Sequence, residues 1–147
     1  MTDVELVLLK LSRLRDFVQL ARSRRPPSAE QLEADLERRD ALALAVLVAA
    51  QEAVDVAYHV ASDEGWGLPD SHGAAFDLLV AHGVLDVEIA NAVRQVVRVR
   101  NRIAHGYASI DHARIWHELP EGLDALERYA AAVARWLPPI TTDGESS

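Results

Sequence analysis

The chain has 147 residues, half of them apolar, with two Phe, three Tyr, three Trp and no cysteine. That length suits one domain with a substantial core, and the lack of cysteine excludes disulfides and thiolate metal sites. A net charge of −8 argues against a general nucleic-acid coat, and an apolar set made mostly of Ala, Val and Leu favours closely packed helices.

The N-terminal run "MTDVELVLLKLSRLRD" carries charges through its apolar residues and does not read as a signal peptide. Val4, Val7, Leu8, Leu11, Leu14 and Val18 follow the i, i+3, i+4, i+7 pattern of an amphipathic helix from Asp3 to about Ala21. Pro26 and Pro27 end it, and the preceding "RSRR" (Arg22 to Arg25) is a basic spot suited either to RNA or an acidic partner or to a solvated loop. Ser28 reads as the N-cap of a short acidic helix, with Gln31 as its capping-box partner. The segment from Asp40 to about Ser62 is apolar on two sides. One stripe holds Leu42, Val46, Ala49, Ala53, Val56, Ala57 and Val60, and the other Leu44, Leu47, Val48, Val54 and Tyr58. Such a helix is buried on both sides, one against its own bundle and the other against a second subunit.

Its longest apolar run, Ala41 to Ala50, is ten residues, short of the roughly 20 that span a membrane. The expectation is a soluble, cytoplasmic protein with no membrane association. "SDEGWGLPDSHG" (Ser62 to Gly73) is a loop, in which Trp66 serves as a partner contact or as local packing. Ala74 to Ala81 is a short helix closed by Gly83. Asp86 caps the next helix, whose stripe is Ile89, Val93, Val96, Val97, Arg100 and Ala104. Gly106 is expected at its left-handed C-terminal position. A last helix starts near Asp111, buries Leu123, Leu126, Ala130, Val133 and Leu137, and is expected to kink or restart at Pro120 and Gly122. The fold class is therefore all-α, an antiparallel up-and-down bundle of four to five main helices. It fills residues 1–138 as a single domain, and residues 139–147 form a disordered tail.

The basic residues are unevenly chosen and placed: fourteen of the fifteen are Arg, and five Arg but one acid lie between Arg94 and Arg114. Arg suits planar, two-pronged contacts to phosphate or carboxylate. Arg98, Arg100 and Arg102 crowd one helix end, and Arg100 sits on the apolar stripe. A guanidinium there needs a partner or an anion-holding cleft. The structural alternative pairs it with Glu52 or Asp55. His105 lies in the last turn, where the helix dipole favours its protonated form and the neighbouring arginines oppose it. It reads either as a proton-transfer group or as a cap on a free carbonyl. Tyr107 follows the glycine and reads alone as packing. His59, His72, His82, His112 and His117 show no metal-ligand spacing, so no metal and no cofactor are expected.

Together Arg100, His105 and Tyr107 spell R-x4-H-x-Y. With "AVRQVVRVRNRIAHGYASID" and the apolar "RDALALAVLVAAQEAVDVAYHVASDEGWGLPDS", this resembles the HEPN superfamily and within it the HepT-like toxins, over roughly residues 3 to 137. The resemblance implies a metal-independent endoribonuclease with Arg100 and His105 as the catalytic pair. Asn101 is the polar residue after the Arg, with Arg98 and Arg102 as supporting phosphate-binding groups. It implies that Tyr107 accepts AMP from a partner MNT-type minimal nucleotidyltransferase, the antitoxin, which neutralises the toxin. RNA supplies its own 2′-OH nucleophile. His105 can then move a proton, Arg100 can hold the scissile phosphate, and a 2′,3′-cyclic phosphate is the expected product. Two motifs across a two-fold axis supply both acid and base, so a homodimer is expected. The RNA, tRNA or mRNA, is not readable. A non-catalytic HEPN module binding a nucleotide or the nucleotidyltransferase, and a purely structural helical dimer, remain as alternatives.

Overall fold

The computed structural model describes residues 1–140. Among them are six α-helices: α1 (Val4–Arg24), α2 (Ala29–Ala34), α3 (Leu36–Asp63), α4 (His72–Ala81), α5 (Val87–Gly106) and α6 (His112–Trp136). Tyr107–Ser109 adds one 3-10 turn, and no strand occurs among the described residues. The four long helices form the all-α up-and-down bundle expected, with α2 and α4 as short braces.

Each helix starts where a short side chain supplies the oxygen that the first turn lacks. Leu6 N–H donates to Asp3, Gln31 N–H to Ser28, Arg38 N–H to Asp35, Ala74 N–H to Ser71, Ile89 N–H to Asp86 and Arg114 N–H to Asp111, over 2.8–3.2 Å. The Asp35 cap starts α3 at Leu36, four residues before the expected Asp40, so Arg39 and Asp40 lie inside the helix.

Two helices end on glycines in the left-handed region, Gly65 (φ 71°) after α3 and Gly83 (φ 77°) after α4. Trp66 N–H donates to Ala61 O at 2.9 Å across the first of these turns. Gly106 departs from expectation: its φ is −150°. The chain keeps turning right-handed through Tyr107 (φ −56°, ψ −39°) into the 3-10 turn, so no left-handed reversal is needed.

The core joins the leucine and valine face of α1 (Val7, Leu11, Leu14, Val18) to an alanine-rich face of α3 (Ala49, Ala53, Ala57), all buried. Small residues on α3 let α1 approach closely. Tyr129 of α6 is buried, lies edge-on to Phe76 and donates its hydroxyl to Ala53 O at 2.7 Å. Burial raises its phenol further above the ordinary tyrosine range. Among the described residues α3 alone is long and apolar enough to cross a membrane, and 56% of its most apolar window is buried inside the bundle.

Of the kink or restart expected at Pro120 and Gly122, the restart does not occur: α6 is continuous, with Pro120 inside it. Pro120 has no N–H for the Trp116 carbonyl, and Arg25 Nε donates to that carbonyl instead, at 3.1 Å. The Arg25 guanidinium carbon lies 3.9 Å from the Trp116 ring centroid, and Trp116 Nε1 donates to Pro26 O at 2.8 Å. Gly122 is small because a Cβ there would meet Val96 Cγ2 at 3.3 Å. Arg22 binds Asp124 and Glu127, so two arginines of "RSRR" fasten α1 and its loop to α6. The tail expected to be disordered, residues 139–147, lies outside the described residues from residue 141 on.

Candidate active site

α5 carries the arginine-rich end and delivers its residues to different sides. Arg100 is half-buried and turned toward α3. Its Nη2 donates to Gln51 Oε1 and its Nη1 to Asn101 Oδ1, both at 3.0 Å. Its Nε is buried without a hydrogen-bond partner. The alternative carboxylate pairing does not form: Glu52 and Asp55 face Lys10 at 3.8 Å each. Gln51 and Asp55 stand one helical turn apart on α3, and Gln51 Nε2 donates to Asp55 Oδ1 at 2.9 Å. Gln51 therefore stands between the acid and the arginine, presenting Arg100 with a neutral amide oxygen.

Arg102 is held differently. Its Nη2 donates to Glu118 Oε2 at 2.6 Å, and Arg114 Nε donates to Glu118 Oε1 at 2.7 Å. Burial works to raise the Glu118 carboxyl, but the hydrogen bonds and charges of Arg114 and Arg102 outweigh it and hold the group below the usual carboxylate range.

Two open grooves flank this end of α5. Arg98, exposed and in no ion pair among the described residues, lines one with Asn101, Arg94, Tyr58 and His72. His105, exposed, lines the other with Arg102, Ser109, Asp111 and Arg114. Five positions on an ideal helix turn about 140°, so Arg100 and His105 leave the helix on different sides. The chain thus presents an arginine toward α3 and a histidine to solvent. Among the described residues no three His, Asp or Glu side chains gather as a metal-ligand cluster.

Tyr107, in the 3-10 turn, is half-buried, and its hydroxyl donates to Asp40 Oδ1 of α3. Burial first, then the hydrogen bond and charge of Asp40, push its phenol up to about 12, with Arg39 opposing. The ring stands edge-on to His112, centroids 6.0 Å apart. The sequence reading missed Gln51, Asp40 and Glu118. Their partners lie 49, 67 and 16 residues away in the chain, and the one local hint was the polar pair Gln51 and Glu52 after a ten-residue apolar run.

Comparison with known proteins gives this geometry a family. The mRNA nuclease HepT of Shewanella oneidensis is 21% identical over 99 residues, covering 67% of this chain and 74% of that protein. A tri-AMPylated Shewanella oneidensis HEPN toxin, solved in complex with its MNT antitoxin, superposes with a TM-score of 0.80 at 18% identity, over 92% of this chain and 99% of the other. YutE of Bacillus subtilis, described as a cytosolic protein of unknown function, gives 0.79 at 14% identity over 95% and 96%. At such identities the superpositions speak for the fold. The HepT-like ribonuclease profile matches residues 8–133, most of the sequence, and this chain therefore belongs to the HepT-like family.

Proposed function

We propose that this chain is a metal-independent endoribonuclease toxin that acts as a homodimer in the cytoplasm, with Arg100 and His105 as its catalytic pair. The observation that carries the reading is the setting of Arg100. A guanidinium bound to a carboxylate is neutralised before any substrate arrives. Arg100 is bound instead by two amide oxygens, so its full charge remains available to a phosphate, and charge-assisted bonds of this kind contribute about 1.5–3 kcal/mol each. Arg100 then holds the scissile phosphate and the charge that develops on it, with Asn101 fixing the fork. His105, exposed in its groove, takes the 2′-OH proton or protonates the leaving 5′-oxygen, leaving a 2′,3′-cyclic phosphate. Arg98 guides the strand from its own groove. Arg102, tied to Glu118, contributes mainly to the local electrostatic frame.

The dimer is supported by the second stripe of α3 apart from Val54, which is buried in its own bundle. Leu44 is 58% exposed, and Leu47, Val48 and Tyr58 are only partly covered. That stripe runs beside Gln51, so a second copy docked there would bring the two Arg100 sites toward one axis and supply acid and base together. The substrate is RNA, with mRNA favoured by the name of the Shewanella relative. We assign the partner as an MNT-type nucleotidyltransferase antitoxin that transfers AMP to Tyr107. The added phosphate and nucleoside place negative charge and bulk two residues from His105, which opposes RNA binding.

Induced expression of the wild type beside His105→Ala tests this reading in cells. Growth arrest with RNA fragmentation in the wild type alone is expected. Equal growth and intact RNA in both would contradict it.

A further inference from the structure

Tyr107 has a neighbour that the R-x4-H-x-Y pattern does not contain. Its hydroxyl donates to Asp40 Oδ1, an exposed carboxylate 67 residues earlier in the chain. The early start of α3 at Leu36 is what brings Asp40 to this place. Arg39, beside it, is half-buried, and its Nε has no hydrogen-bond partner. His112, at the start of α6, stands edge-on to the Tyr107 ring, and the charges of Arg39, Glu33, Asp111 and Asp40 act on it.

We infer that Asp40 is the general base for group transfer to Tyr107, serving a nucleoside triphosphate whose α-phosphate arrives beside Arg39. The inference rests on the assignment of Tyr107 as AMP acceptor. In this step the phenolic oxygen attacks the α-phosphorus and an O–P bond forms. The bond from that phosphorus to the oxygen bridging the β-phosphate breaks, and pyrophosphate leaves with the electron pair. The phenol proton passes along the existing hydrogen bond to the Asp40 carboxylate. Nothing is oxidised or reduced.

The phenol needs such help. Burial and the Asp40 contact push its titration up to about 12, so very little of it is ionised near neutral pH. His112 is not a rival cation there: burial first, then the Arg39 charge, hold it below the ordinary histidine range, against Glu33, Asp111 and Asp40. Asp40 also has a competing effect, because its charge holds the phenol protonated. A base and a brake have opposite signs on removal, so substitution separates them.

The test uses the purified chain and an arylsulfonyl fluoride, an electrophile that forms an O–S bond to tyrosine and loses fluoride once the phenol proton is removed. Labelling of Tyr107 is followed by peptide mass spectrometry from pH 6 to 9 in the wild type, Asp40→Asn and Asp40→Glu. Asparagine keeps the shape and the acceptor oxygen but is no base. Its labelling should be at least about tenfold slower and rise in proportion to hydroxide, with Glu restoring part of the rate. Labelling of the Asn variant as fast as wild type, or faster, would overturn the inference. A second arm follows the mass gained on co-expression with the nucleotidyltransferase antitoxin. Wild type gaining AMP while Asp40→Asn lags supports both readings. Equal gain removes the base and keeps the acceptor. No AMP on the wild type removes the acceptor reading, and the labelling rates still decide whether Asp40 acts as a base.

Discussion

Arg100 and Arg102 lie two residues apart on α5 and meet opposite surroundings. On a helix that spacing turns them to nearly opposite sides. Arg102 meets Glu118, which also binds Arg114, and Arg100 meets the amides of Gln51 and Asn101. The sequence set Arg100 apart by its place on the apolar stripe and in the motif, but the partners of the two arginines were not legible: they depend on which side chains α3 and α6 bring across. Glu118 gives this arrangement a pH signature. Its carboxyl lies lower in the folded chain than the unfolded value of about 4.3. It therefore contributes stability above the unfolded value and loses that contribution as pH falls through the folded one. Glu118→Gln should lower the urea midpoint near neutral pH, by a modest amount because the site is partly exposed. The difference from wild type should shrink as pH falls below the unfolded value and disappear once the folded carboxyl is protonated. A difference that does not shrink on acidification would mean that packing, not charge, accounts for the change.

At the scale of elements, the helices themselves were legible. Hydrophobic spacing located α1, α3, α5 and α6, and Ser28 and Asp86 were readable as caps because capping needs only a short side chain before a periodic run. Local rules failed where a distant group changed their outcome. Pro120 was expected to kink or restart α6; the helix does not restart there, and Arg25 serves the carbonyl that Pro120 leaves bare. Gly106 was expected to be left-handed, but the chain continues right-handed through Tyr107. The first case makes a double-mutant prediction. Arg25→Met should cost about 1–2 kcal/mol in urea unfolding. In a Pro120→Ala background, where residue 120 regains its N–H for the Trp116 carbonyl, the cost of losing Arg25 should shrink by at least about 0.5 kcal/mol. Strict additivity would show that the carbonyl is not what Arg25 supports.

For the whole molecule, the all-α bundle and the position of the motif at the end of α5 were readable from the sequence, and the family follows from residues 8–133. The supporting shell was not. Gln51 and Asp40 both belong to α3, the helix that touches α1, α2, α4, α5 and α6. α3 thus supports both the proposed nuclease centre at Arg100 and the proposed modification site at Tyr107, although neither residue is its own. Its uncovered Leu44 stripe continues along the same element. One helix therefore links core, proposed dimer face, Arg100 and Tyr107, which explains why so apolar a helix carries Asp40, Gln51 and Asp55 at intervals.

The most direct test of the central claim is RNA cleavage by the purified chain in EDTA, with the product ends identified. Wild type should leave 2′,3′-cyclic phosphates. Arg100→Ala and His105→Ala should each cleave at least about 100-fold more slowly while keeping the wild-type helical signal. Cleavage by either variant at the wild-type rate would contradict the assignment of these two residues as the catalytic pair.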